Sequence, residues 1–225
     1  MDHERRDAPG DRPAIEDMPP EREEERLVRD ALAAWDAGRF REAAAHYRTI
    51  LSRDPRQVDA RIGLSRALEA DDQPEAAIAT LSEAIELSPD QTEYLVVRGG
   101  ILGRLRRFPE AEADLRRVLK LHPAHGPALH ELGLLLLKKG LAAPAAELLQ
   151  RSAALQPGRP DAYLHLGDAL NRAGDLRGAV AALERALELD PSNRHTYNVL
   201  GRVLDRLGRP GEAETLYRRA QGLDS

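Results

Sequence analysis

The chain has 225 residues, 33 basic and 38 acidic side chains for a formal charge of −5, 42% hydrophobic and 4% aromatic residues, and no cysteine. The two signs are interspersed, so no basic field exists to grip a phosphate backbone, and the missing thiols rule out a disulfide framework and every thiolate metal site. No apolar run follows a basic start and no stretch approaches the roughly 20 apolar residues of a membrane span, so the expectation is a soluble, cytoplasmic protein without nucleic-acid or membrane partners.

Residues 1–22 mix Asp, Glu, Arg and Pro with few apolar groups. Such a segment cannot offset the entropy of ordering, and it is expected to be a disordered tail. From residue 23 to residue 225 the chain is dominated by Leu, Ala, Glu and Arg, which favour helix, and the expected fold class is all-α. The Ala, Arg and Asp richness also has the look of a bacterial gene of high GC content.

Five prolines, Pro55, Pro89, Pro123, Pro157 and Pro191, stand at equal intervals of 34 residues, each behind a helix-like segment such as AIELSP or ALELDP. Placing each at position 32 of a repeat gives units 24–57, 58–91, 92–125, 126–159, 160–193 and 194–225. Position 20 is then Ala in all six, from Ala43 to Ala213. Position 8 is small (Ala31, Ser65, Gly99, Gly133, Gly167, Gly201) and position 24 is large (Tyr47, Leu81, Leu115, Leu149, Leu183, Tyr217). Large residues facing small ones at fixed places predict two antiparallel helices per repeat in close contact.

The first unit departs from the pattern at Asp30, the second at Arg61 and the third at Arg98, where the other repeats carry apolar residues. The first three repeats are therefore expected to pack less well than the last three. In the third unit, GGILG at 99–103 falls within a helix, where each glycine costs about 1 kcal/mol relative to Ala. The fourth opens after H-P-A-H at 122–125, which lacks the i, i+4 spacing of a helical metal site. In the fifth, helices are predicted over 161–173 and 176–189, with Gly174-Asp175 turning the chain and Pro191 ending the second helix. The chain ends inside the sixth unit without an added polar helix, so the expectation is either an association surface there or a following segment outside this sequence.

This column pattern, clearest in AYLHLGDALNRAGDLRGAVAALERALELDPSN, closely resembles the tetratricopeptide repeat family over residues 24–225. The resemblance implies a right-handed superhelical solenoid in which the first helix of each repeat lines a concave groove. No nucleophile sits on a sharp turn beside a base and no glycine-rich loop enters a helix, so neither an enzyme nor a bound cofactor is expected.

The resemblance assigns positions 2, 5, 6, 9, 12 and 13 to the groove. Position 13 reads Arg104, Lys138, Arg172 and Arg206, and Arg66 and Arg202 stand at position 9. This ladder would suit an acidic partner segment, although a cation in the last turn of a helix is equally explained by the helix dipole. Val96, Leu134 and Leu137 around Gly100 and Gly103 would form a pocket for an apolar anchor, with Asn198 at position 5 of the last unit.

Trp35 is read mainly as packing against the first repeat. His130, His165 and His195 fall where related adaptors clamp a terminal carboxylate, but Leu134 and Val199 replace other members of that clamp. The histidines are left as a weak anion site, a pH-sensitive site or solvent-facing residues. The expected function is a scaffold binding a protein or peptide segment, the alternative a subunit that self-associates through its C-terminal repeat.

Overall fold

The computed structural model describes residues 20–222, and among these it is entirely helical and turn, with no strand. Six helix pairs follow in order: α1 (Pro20–Asp36) and α2 (Phe40–Arg53), α3 (Val58–Ala70) and α4 (Pro74–Leu87), α5 (Thr92–Arg104) and α6 (Phe108–Leu121), α7 (Gly126–Lys138) and α8 (Ala142–Leu155), α9 (Pro160–Ala173) and α10 (Leu176–Leu189), α11 (Arg194–Arg206) and α12 (Pro210–Gly222). Each pair falls within one 34-residue unit, apart from α1, which starts three residues inside the segment read as a tail. Residues 1–19 of that segment lie outside the described residues, as do 223–225.

The chain forms two compact units, one up to Leu81 and one from Ser82 onward. In the first, α1 packs on α2 and α2 on α3, around Leu27, Ile50 and Ala60. In the second, every helix from α5 to α12 packs on the next, and the first helices of successive repeats also touch: α5 on α7, α7 on α9, α9 on α11. The second helices α6, α8, α10 and α12 make no comparable contact with one another among the described residues. The first helices are thus the more closely spaced layer, which puts them on the inner side of the curve within this unit.

The repeat columns explain the packing. All six position-20 alanines are 0% exposed. A Cβ added at Gly133, Gly167 or Gly201 would stand 2.6 Å from Leu149, 2.5 Å from Leu183 and 2.5 Å from Tyr217, and at Gly99 2.9 Å from Leu115. Real Cβ atoms do not approach so closely, so glycine at position 8 is what lets the large residue of the second helix lie against the first helix's backbone.

The turns are equally regular. Gly174 ends α9 at φ 93°, a left-handed conformation open to glycine at little cost, and Asp175 then caps α10 by accepting from Gly178 N–H at 2.9 Å. Arg117 and Arg151, one repeat apart, donate to the carbonyls of Pro89 and Pro123 at 2.9 and 2.8 Å. His125 of the H-P-A-H run caps α7, its Nδ1 accepting from Ala128 N–H at 3.2 Å.

Two of the three departures turn out to be compensated. Arg98 holds Asp114 with two hydrogen bonds of 2.8 Å, and its third nitrogen donates to Ser82 Oγ at 2.9 Å. Asp114 stands at position 23, where repeats four to six carry Leu148, Ala182 and Leu216. The apolar pair of those repeats is therefore replaced in the third by a matched ion pair. Arg61 is half-buried and donates to Pro55 O at 2.6 Å. Asp30 is exposed, with Arg26 at 4.0 Å.

Candidate binding groove

A cavity of about 330 Å³ opens on the layer formed by α5, α7 and α9. Its floor is the bare backbone of α5 at Gly99, Gly100 and Gly103, and its apolar wall is Leu134, Leu135 and Leu137 of α7. Arg104, Lys138 and Arg172 lie around it with two acidic residues, Glu131 and Asp168, and His165 closes the side formed by α9.

The floor is open because of two glycines that packing does not require. Gly99 is explained by Leu115, but a Cβ at Gly100 would meet the ends of two long side chains, the carboxylate of Glu131 at 3.1 Å and the guanidinium of Arg104 at 3.5 Å, and one at Gly103 would lie 3.3 Å from Leu135. Alanine at either place asks for a shift of a few tenths of an ångström and would favour the helix by about 1 kcal/mol. The sequence keeps the glycines, and the cavity reaches the α5 backbone between the ends of Glu131, Arg104 and Leu135.

Of the residues expected in the groove, Gly100, Arg104, Leu134, Leu137, Lys138, His165 and Arg172 come together at this cavity. The others do not line it. Val96 packs into the core at 8% exposure instead of standing open, because the contact between α5 and α7 covers it. Arg202, Arg206 and Asn198 lie farther along, on α11. Arg66 belongs to the first unit and is exposed on α3. Trp35 remains 37% exposed on α1, edge-on to Phe40 at 5.1 Å.

His130 corrects the expectation for the histidines. It is 3% exposed, turned inward, with its Nε2 2.9 Å from Nδ1 of His165. Burial, with His165 and Arg159 adding to it, pushes its pKa down to about 4. A group held neutral in this way does not offer a charge to an anion at neutral pH. His165 is also lowered, chiefly by burial, against the opposing pull of Asp161 and Asp168. His195 is exposed and joins neither.

The position-13 cations divide. Lys138 Nζ donates to Gly103 O at 3.2 Å, and Arg206 Nη1 donates to Asn171 O at 2.6 Å and to the Asn171 side chain. Each thus adds a second donor to a carbonyl in the last turn of the preceding repeat's first helix, one that also accepts a backbone N–H from the following turn, Arg106 N–H on Gly103 O at 3.4 Å and Gly174 N–H on Asn171 O at 3.3 Å. Arg172 instead pairs with Asp168 on α9 at 2.9 Å. The sequence reading weighed ligand contact and the residue's own helix end equally; the cross-repeat reach was the part it missed, and the signal is the 35-residue separation of each pair.

At the other end, α12 exposes Glu214 and Arg218, 3.9 Å apart, together with Gln221, while Leu216 and Tyr217 are half-buried. No large apolar side chain of α12 is exposed among the described residues. No described helix is long and apolar enough to cross a membrane.

Family models for the tetratricopeptide repeat match residues 34–97 and, in three overlapping stretches, residues 98–160, 132–179 and 164–225. A search of curated proteins finds no match. Three solved structures that match along most of their length are similar to this chain. MamA 41-end from Desulfovibrio magneticus RS-1 is 26% identical with a TM-score of 0.65, covering 80% of this chain and 94% of that one. PilF from Pseudomonas aeruginosa is 20% identical with a TM-score of 0.70, covering 87% and 89%. YrrB, described as a repeat protein with an unusual peptide-binding site, is 20% identical with a TM-score of 0.59, covering 80% and 93%. The equal proline spacing, the six helix pairs and these matches agree, and the chain belongs to the tetratricopeptide repeat family.

Proposed function

We propose that this protein is a non-enzymatic, cytoplasmic interaction scaffold that holds a partner protein's segment in the groove of α5, α7 and α9. An apolar side chain of that segment sits over Gly100 and Gly103 against Leu134 and Leu137. Acidic groups beside it meet Arg104, Lys138 and Arg172. The observation that carries this reading is the pair of glycines at 100 and 103, which weaken α5 and border a cavity, and whose contacts, unlike those of Gly99 and Gly133, would admit Ala after a shift of a few tenths of an ångström. A site that gives up fold stability for an open surface is a recurring mark of binding function. YrrB's peptide-binding site lends the reading a precedent on the same fold.

A random linear-peptide display library selected on the full chain tests it. Peptides pairing an apolar residue with Asp or Glu are expected, and Gly100→Leu, which fills the opening, should abolish their binding while helicity is unchanged. Lys138→Glu with Arg172→Glu should weaken them at least tenfold and more at low salt than at high. Peptides that bind both variants as they bind the wild type would reject the groove. Self-association through α12 is the less favoured reading, since that helix exposes polar residues where an apolar interface would need Leu or Phe.

A further inference from the structure

Buried His130 and half-buried His165 at the edge of the groove are not used by that reading, and their geometry is specific. His130 Nε2 and His165 Nδ1 are 2.9 Å apart, so one ring donates a proton to the other. His130 lies inside the contact between α7 and α9, whereas His165 lines the cavity. With Nδ1 of His165 turned onto His130, the ring nitrogen left for a ligand is Nε2, which has no partner among the described residues.

Which way the shared proton points decides what Nε2 can do. Glu131 Oε1, a carboxylate that has other partners as well, stands 4.0 Å from His130 Nδ1, too far for a hydrogen bond, and of the two tautomers its position favours the one with the proton on that nitrogen. A neutral His130 protonated at Nδ1 has a bare Nε2, which must then accept from His165 Nδ1–H. His165 in turn has its own Nε2 bare. The ring stays neutral because burial opposes protonation, with Arg159 at the start of α9 and His195 of α11 on the same side. Asp161 and Asp168 oppose this, but Asp168 is occupied by Arg172 at 2.9 Å.

We propose that the His130–His165 pair presents His165 Nε2 to the groove as a hydrogen-bond acceptor for a main-chain N–H of the bound segment, with His130 as the positioning residue. The inference rests on the groove being the partner site. It adds to that site a neutral, directional contact beside the apolar pocket and the charged rim. An extended segment fits this chemistry, because its main-chain N–H groups are unpaired, whereas a helical segment spends most of its own internally. Protonation of His165 removes the acceptor, so the contact is lost on acidification.

Two measurements on the full chain test this. Long-range proton–nitrogen NMR correlations at neutral pH report the tautomers without any ligand: His165 is expected protonated at Nδ1 and bare at Nε2. A proton on Nε2 of His165 overturns the proposal. The probe for the second is the tightest peptide selected from the display library. His165→Phe should weaken it about tenfold, the size of one well-placed hydrogen bond, and His165→Gln, whose Oε1 can take the place of Nε2, should restore most of the loss.

N-methylation of one main-chain nitrogen of the peptide should weaken wild-type binding by a similar factor and add nothing in His165→Phe. Independent losses at every methylated position would overturn the proposal while leaving the groove intact. Selected peptides that bind Gly100→Leu unchanged would instead remove the groove itself, and the proposal with it.

Discussion

At the scale of single residues, glycines of one helix layer do opposite things. Gly133 makes room for Leu149, and Ala there puts a Cβ 2.6 Å from the Leu149 side chain, so Gly133→Ala is expected to lower stability by about 2 kcal/mol. Gly100→Ala meets the ends of two long side chains, Glu131 and Arg104, and should raise stability by up to about 1 kcal/mol. Urea denaturation of the two variants checks the pair, and a loss in both would mean that the Gly100 floor is packing and not an opening.

The histidines make a second residue-scale prediction. A histidine titrating at 6.5 when unfolded and about 4 when folded leaves the unfolded chain holding more protons between those values. Stability is therefore fully present above the upper value and falls as the pH drops toward the lower one, by about 3 kcal/mol from His130. Replacing His130 and His165 by Leu should remove most of this slope over that window, leaving the part due to carboxylates. The same slope in both proteins would contradict the neutral buried pair.

Among the elements, α5 and α6 show what the sequence conveyed and what it did not. The small and large columns were legible, because each repeat solves one packing problem in one way and the solution recurs at fixed positions. Arg98 was legible only as a departure. Its partner Asp114 lies at a position where Ala and Leu also occur, and nothing in a single column marks it as the other half of a pair. Asp114→Ala should cost about 3 kcal/mol by leaving the Arg98 charge half-buried and unmatched, whereas Arg98→Leu with Asp114→Leu, which copies Leu132 and Leu148 of the next repeat, should be neutral or stabilising. Thermal melts of the single and double variants decide it; equal losses in both would mean that the ion pair is more than a substitute for apolar packing.

The candidate site was partly legible for the same reason. Positions 9, 12 and 13 of the third and fourth repeats, which the family resemblance assigned to the groove, line one cavity. Val96 and His130 do not, because their exposure depends on how far each first helix is offset from the next, which no column records. The link from Lys138 to Gly103 O and from Arg206 to Asn171 O is set by that offset too.

For the molecule as a whole, stability in a repeat array is the sum of each helix pair and its contacts with its neighbours, so a local opening such as that over Gly100 can be tolerated without loss of the fold. A fold built this way is free to vary the side chains on its inner layer. The central claim is that the inner layer of α5, α7 and α9 holds a partner segment, and quantitative mass spectrometry of proteins captured from the native host's lysate tests it most directly. Wild type, Gly100→Ala and Gly100→Leu are compared at matched helicity. The account predicts one partner retained in part by the Ala variant and lost from the Leu variant, with acidic and apolar residues in its protected segment. A partner captured equally by all three would contradict it and place binding on another face.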